Sequence, residues 1–250
     1  MHTLLAQEMI PDVGDVLAVE GDEAHHALRV KRLEPGSSVR VADGLGTLAT
    51  ARLERAEKLP GKGRSGSGWR AHLRITDREI SPKPRPEIVV ASGVPKGPRL
   101  ETLIEGLSQA GAAGWRPLES TRSVVDPRPG KLARLDRVTM ESAKQCGRAW
   151  AMTIGPSTRL AGLLTAGAPV IVADASGPPL DRLPPSDRLV LAVGPEGGFD
   201  ADELAAAAAA GATIAAFGPH TMRIETAAPV ACSILQYLAR VAHPSKEAPS

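Results

Sequence analysis

Residues 188–206 read RLVLAVGPEGGFDADELAA, and the six in the middle, Gly194-Pro195-Glu196-Gly197-Gly198-Phe199, decide the fold. The apolar run Arg188–Val193 has the length and content of a buried strand. Asp200 with Glu203 three residues on is a D-x-x-E helix start, followed by an alanine-rich helix. A loop between such a strand and such a helix lies at the carboxyl edge of a sheet, where open α/β sheets bind ligands. Glycines at 194, 197 and 198 permit positive φ and close backbone approach. Taken alone, the loop reads equally well as a tight strand-to-helix turn. Glu196 would repel phosphates, and no Lys-Ser or Lys-Thr follows, so a neutral or cationic ligand suits the loop better.

Outward from this point, strands and helices alternate. Strand EIVVASGV (87–94), helix RLETLIEGLSQAG (99–111), a strand near WRPLES (115–120) and helix KLARLDRVTMESAKQCGRAW (131–150) come before it. So do a short helix LAGLLTAG (160–167) and strand VIVADAS (170–176), and after α-helical DADELAAAAAAG (200–211) come strand ATIAAFG (212–218) and helix ETAAPVACSILQYLARVA (225–242). This alternation predicts a mostly parallel sheet covered by helices.

The pattern upstream is different. EGDEAHHALRVKRL (20–33) has a helix start at Gly21-Asp22 and a basic end, SSVRVADGLGTLATARLERA (37–56) reads as a hairpin around Asp43-Gly44, and WRAHLRITD (69–77) reads as a strand. Residues 1–80 are therefore expected to form a small β-rich domain, 81–87 (SPKPRPE) a linker, 88–242 the α/β domain and 243–250 a polar tail. GKGRSG (61–66) matches G-x-G-x-x-G, but it runs into a strand rather than opening a helix, so it reads as a hairpin tip and not a dinucleotide site.

The 250 residues suffice for two cores. Aromatics are only 2% of the chain, which argues against binding by exposed stacking platforms. The net charge of +2 does not announce nucleic acid, yet Lys and Arg are in excess over Asp and Glu in the middle third, leaving room for a local basic surface. Cys146 and Cys232 form no CxxC and no His-bearing cluster, so no metal site and no disulfide framework is expected. MHTLLAQEMIPDVGD lacks a basic n-region, and no window reaches membrane-spanning length, so the expectation is a cytoplasmic protein without a membrane partner.

A second constellation, FGPHTMRIETAAPVA (217–231), ends a strand, turns at a proline and places Arg223, Glu225 and Thr226 at the start of the last helix. Two such loops one helix apart can form two sides of one pocket. The alternative for Arg223 and Glu225 is a surface helix-cap ion pair.

GPEGGF followed by FGPHTMRIETAA resembles the cofactor-binding signature of the SPOUT methyltransferases, specifically the RsmE branch, which methylates N3 of a uridine in small-subunit ribosomal RNA. HHALRVKRLEPGSSVRVADG is similar to that family's N-terminal barrel, PKGPRLETLIEGLSQAG to its first catalytic-domain helix, and ESAKQCGRA to its Glu-Gln-Cys-Gly-Arg segment. The resemblance implies a C-terminal SPOUT-type trefoil-knotted α/β domain, an N-terminal PUA-like small β-barrel domain, a homodimer and S-adenosylmethionine as cofactor. By the same resemblance Gly194, Pro195, Glu196, Gly197 and Gly198 form one wall of the cofactor site, and Phe217, Gly218, Met222, Arg223, Glu225, Thr226 and Ala227 the other. The chain departs from the family pattern at Gln109-Ala110 (usually Glu-Leu), Lys144 (Glu), His220 (commonly Arg) and Ile224 (Thr).

Methylating uridine N3 requires removal of its proton or stabilisation of the resulting anion, so a positioned base and a cation are needed. Glu225 is the candidate base and Arg223 the candidate cation. Arg29, Lys31, Arg32 and Arg40 in the first domain, with Lys96, Arg99, Arg122 and Arg148 in the second, are candidates to hold RNA phosphates. His25 and His26 read as a packed helix start. The readings that compete are a ribose 2′-O-methyltransferase of the same fold acting on transfer or ribosomal RNA, and a non-catalytic RNA-binding ribosome assembly factor. The expected partner is small-subunit ribosomal RNA, within the assembled or assembling subunit.

Overall fold

The computed structural model describes residues 1–60, 68–122 and 129–242, with the side chains of 129–133 left out. The GKGRSG segment and the polar tail lie outside the described residues. The chain divides into two compact units: Met1–Lys83 with Ala143–Ala151, and Pro84–Ser142 with Met152–Ser250.

The first unit is built on β1 (His2–Leu5), β2 (Val16–Glu20), α1 (Gly21–His25), β3 (Ser38–Ala42), β4 (Thr47–Lys58) and β5 (Trp69–Ile80). The sheet order is β1-β3-β4-β5-β2, antiparallel except for the parallel β1–β3 pair. Register shifts at Thr50/Ala51 and Leu53/Arg55 bend the long β4–β5 hairpin, as an extra residue in one strand does. Alternate residues of every strand (Leu4, Leu17, Val39, Leu53, Leu73) meet Ala24 and Ala27 in one core. A π-helical turn, His26–Val30, continues α1. Strand β1 lies in a stretch that the sequence pattern did not mark as a strand, because its four residues hold too little alternation to register.

The second unit consists of β6 (Glu87–Ser92), α2 (Arg99–Gln109), β7 (Gly114–Glu119), α3 (Pro129–Cys146), β8 (Thr153–Ile154), β9 (Thr158–Arg159), α4 (Leu160–Leu164), β10 (Val170–Ala173), β11 (Arg188–Val193), α5 (Ala201–Ala209), β12 (Thr213–Ala215) and α6 (Ile224–Ala242). Its sheet runs β12-β10-β11-β6-β7-β8, with β9 also on β7, and every pairing is parallel. Helices α2 and α6 pack together over one face, where Leu103, Ile104, Leu107, Ala228, Ala231 and Leu235 join Ile88, Val90 and Leu191. Their approach is close: a Cβ on Gly106 would lie 2.9 Å from Pro229 Cγ. Strand β12 is at the sheet's edge, yet α6 returns across β11 and β6, so the chain between them crosses back over the strand ends.

Three expectations are corrected. Helix α3 ends at Cys146 rather than Trp150, because Gly147 takes φ +76° and Arg148 N–H closes the end on Ala143 O. The segment Ala143–Ala151, expected in the second domain, belongs to the first unit. Gly46 N–H donates to Ala149 O, Trp150 Nε1–H to Ser81 O at 2.8 Å, and Lys144 pairs with Glu23 at 2.8 Å. Arg148 is therefore a residue of the first unit. Finally, the stretch 81–87 is less of a free linker than its prolines suggest: Ser81 N–H bonds Gly46 O, and Glu87 already opens β6.

Candidate cofactor cleft

The three strands β12, β10 and β11 end side by side, and the loops that leave them line a cleft of about 260 Å³. That is near the lower bound of the roughly 300–1,000 Å³ typical of ligand clefts.

The first loop is held by backbone geometry. Gly198 N–H donates to Pro195 O at 2.8 Å, closing a turn, and Gly198 itself has φ +67°. A Cβ on Gly194 would crowd Gly198 C and Phe199 N at 3.2 Å. From the neighbouring strand, Gly93 N–H donates to Val193 O, and a Cβ on Gly93 would stand 2.7 Å from Pro195 Cα. Gly93 follows Ser92, whose hydroxyl accepts from the Nε1–H of fully buried Trp115 at 2.9 Å, so this approach is anchored in the core. Beyond the loop, Asp200 Oδ1 accepts from Glu203 N–H at 2.7 Å and Glu203 Oε2 accepts from Asp200 N–H at 3.0 Å. The backbone N–H of Glu203 holds the Asp200 carboxyl below its ordinary range, helped by the nearby hydrogen bond of Thr121, the Asp202 N–H and the charge of Arg122.

The second loop begins at Ala216 and ends where Thr226 and Ala227 N–H both donate to Arg223 O, opening α6. Of the residues expected at the cofactor site, Gly194, Pro195, Glu196 and Gly198 line the cleft from the first loop, and Phe217, Gly218, Met222 and Ala227 from the second. Gly197, Arg223 and Thr226 lie outside the lining, and Arg223 and Thr226 are exposed. Two of the departures from the family pattern, His220 and Ile224, are lining residues, the second of them buried.

Asp174 and Ala173 at the end of β10 also line the cleft and were missed. Strand β10 comes before β11 in sequence but sits between β11 and β12 in the sheet, and nothing in the spacing VIVADAS reports that insertion.

Glu225 sits just off the lining with its side chain 12% exposed. Its Oε1 receives Arg99 Nη1 at 3.5 Å, while its Oε2 is buried with no hydrogen-bond partner. Arg99 also reaches Glu196 Oε1 at 3.8 Å. Arg122 donates from Nη1 to Gly197 O at 2.6 Å. Two of the expected RNA-phosphate cations thus touch the first loop. Arg29, Lys31, Arg32, Arg40 and Lys96 are exposed, with the Arg29 guanidinium 5.6 Å from the Trp69 ring centre, and Arg148 is half-buried.

The lining carries Glu196 and Asp174 but no Lys or Arg, with apolar walls from Phe217, Met222 and Ile224 and several backbone groups between. Such a donor set fits S-adenosylmethionine: apolar surface for the adenine, backbone polar groups for its edge, and carboxylates toward a sulfonium and an amine. It does not suit a phosphate-bearing cofactor. No group of three His, Cys, Asp or Glu is placed to hold a metal among the described residues.

A small β unit carried with an all-parallel α/β unit whose cleft opens at the ends of three neighbouring strands is the architecture of the SPOUT RNA methyltransferases. The RNA methyltransferase domain model matches residues 81–236, and the RNA methyltransferase PUA domain model matches 19–60. The chain belongs to this RNA methyltransferase family. It is 36% identical over 238 residues to the ribosomal RNA small subunit methyltransferase E of Mycobacterium bovis, covering 90% of this chain and 87% of the relative. It is 30% identical over 229 residues to the protein of the same name from Synechocystis, covering 86% and 71%. The fold is shared with the Neisseria gonorrhoeae methyltransferase E bound to S-adenosyl methionine (TM-score 0.79, 24% identity, 95% and 98% covered). It is also shared with a Legionella pneumophila protein in complex with the bound cofactor SAM (TM-score 0.76, 24% identity, 94% and 96% covered).

Proposed function

We propose that this chain transfers a methyl group from S-adenosylmethionine to N3 of a specific uridine in small-subunit (16S) ribosomal RNA. The observation that carries the reading is the cleft at three adjacent strand ends, lined by two carboxylates and no Lys or Arg, in a chain whose relatives are named as small-subunit ribosomal RNA methyltransferases. The partners in this reading are the RNA, within the assembled or assembling subunit, and a second copy of the chain as a homodimer. The setting is the cytoplasm. Gly194, Pro195, Glu196, Gly198, Phe217, Gly218, Met222 and Ala227 hold the cofactor directly, while Gly197, Arg223 and Thr226 shape the loops around it.

The cofactor supplies an electrophilic methyl on a sulfonium. The chain must then supply a way to take the proton from N3. Glu225 Oε2 is a buried carboxylate oxygen without a partner, which is costly unless a donor arrives. A uridine N3–H is such a donor, and Glu225 is the base in this reading, with Arg99 fixing its other oxygen. Arg223, exposed at the entry to α6, stabilises negative charge that develops on the uracil carbonyl oxygens. Arg29, Lys31, Arg32, Arg40 and Lys96 hold phosphates, and the target uridine is unpaired or flipped when it enters.

The test uses methyl-labelled cofactor and small subunits from a strain lacking the modification. Labelled 3-methyluridine is the expected product; label on ribose would transfer the reading to the 2′-O branch, and absence of cofactor binding would leave an assembly factor. Glu225→Gln is expected to slow single-turnover methylation by about a hundredfold or more, with Arg223→Ala less severe. Full activity in both variants would overturn the role assignments.

A further inference from the structure

Two arginines grip the loop Gly194–Phe199 from opposite chain segments. Arg122, just after β7, donates to the Gly197 carbonyl at 2.6 Å. Its aliphatic stem lies against the same residue: a Cβ on Gly197 would stand 3.2 Å from Arg122 Cδ and 3.4 Å from Arg122 Cβ. Gly197 therefore makes room for this side chain rather than for the cofactor. Arg99, at the start of α2, lies 3.8 Å from Glu196 of the first loop and 3.5 Å from Glu225 at the end of the second. It is the cation between two carboxylates that belong to the two walls of one cleft. The neighbouring Thr121 N–H, donating to Glu203 Oε1 at 3.0 Å, ties the Arg122 segment to the first turn of α5 as well.

We propose that Arg99 and Arg122 are positioning residues that hold the Pro195–Gly198 turn in its cofactor-binding shape, Arg122 through a backbone carbonyl and Arg99 by bridging Glu196 and Glu225. The inference rests on the cofactor reading given above. Without Arg99 the two carboxylates lose the cation they share, and the tie between the two walls goes with it. Without Arg122 the Gly197 peptide loses the donor that sets its direction, and the turn closed by Gly198 N–H loosens. The two arginines work on acceptors of different geometry, which sets them apart in a rescue experiment. One carbonyl can be satisfied by a lysine ammonium, whereas spanning two carboxylates uses the width of a guanidinium.

The experiment measures S-adenosylmethionine affinity by calorimetry, and amide hydrogen exchange over 194–199 in the same full-length proteins. Arg122→Gln is expected to weaken cofactor binding about tenfold and to speed exchange at Gly198, with Arg122→Lys restoring most of both. Arg99→Gln is expected to weaken binding about threefold to tenfold, with Arg99→Lys restoring little. In methylation assays Arg122→Gln raises the cofactor KM and leaves kcat at saturating cofactor near that of the parent. Unchanged affinity and unchanged exchange in both glutamine variants overturn the proposal, as does a fall in melting temperature large enough to account for the affinity loss. If the parent protein itself fails to bind the cofactor, the functional reading fails, and the exchange rates still decide whether the arginines hold the loop.

Discussion

In the first unit Arg29, Lys31, Arg32 and Arg40 are exposed, whereas in the second Arg99 and Arg122 are turned onto the loop that follows β11. Other ion pairs of the first unit run between its own strands: Arg74 with Glu54, and Arg70 with Glu20 at 2.6 Å. Its helix α1 is tied in the same way, through Glu23, which pairs with Lys144 and accepts from Leu5 N–H at 3.1 Å. The second unit shapes its cleft with missing side chains, at Gly93, Gly194 and Gly197, and uses guanidinium groups to hold what the glycines leave pliable. The first-unit cations are thus available to a polyanion, while Arg99 and Arg122 stand outside the lining and hold the loop that forms it. Arginine content alone does not distinguish the two uses.

The sharpest way to break this contrast is Lys144→Glu, which reverses the charge that faces Glu23. Lys144 and Glu23 side chains are both only 16% exposed, so two facing carboxylates there are expected to cost about 3 kcal/mol in denaturant unfolding. Adding Glu23→Lys should recover the charge pairing and so part of the loss, with the Leu5 N–H still lacking its acceptor. No loss in the single variant would mean that the charges of the first unit are not settled locally. Next in size is Gly93→Ala. Its methyl group has only the Pro195 backbone to move, so a destabilisation of about 1–3 kcal/mol is expected together with a drop in cofactor affinity. Retained affinity would remove the close approach of β6 from the account of the cleft.

A smaller effect separates the two populations of arginine directly. The triple variant Arg29→Ala, Lys31→Ala, Arg32→Ala is expected to bind the cofactor normally and to lower the slope of log RNA affinity against log salt by about two. A changed cofactor affinity, or an unchanged slope, would erase the distinction between the units.

The smallest concerns pH. Burial pushes the His2 imidazole below its ordinary value of 6.5, aided by the charges of His26, Lys31 and Lys144 and opposed by Glu23. The His2 and His26 rings are 5.5 Å apart. The folded chain then binds fewer protons at His2 than the unfolded chain, so stability is full above 6.5 and declines as pH falls below it, until His2 is itself protonated. His2→Gln should flatten that part of the stability profile.

Much of the molecule was legible because it is written in local periodicity. RLVLAV, the D-x-x-E start at Asp200 and the glycine cluster between them specify a strand, a loop and a capped helix whatever surrounds them, since each depends on contacts within a few residues. The hairpin around Asp43-Gly44 was readable for the same reason. The eight expected residues that line the cleft were found through the two loops that carry a sequence signature. Other parts depended on distant partners. That β10 lies between β11 and β12, bringing Asp174 into the cleft, is a matter of sheet order, which alternating patterns do not encode. That Ala143–Ala151 joins the first unit depends on Glu23, Gly46 and Ser81, each more than sixty residues away in sequence. That Arg99 and Arg122 face the loop, and that Glu225 has one carboxylate oxygen held and the other buried without a partner, follows from which side chains the folded backbone brings together. Sequence by itself determined the elements and the chemistry available at their ends, because propensity, capping and glycine freedom are local. Only the tertiary structure decided which of those ends share a cleft, because burial and charge pairing are properties of neighbours in space.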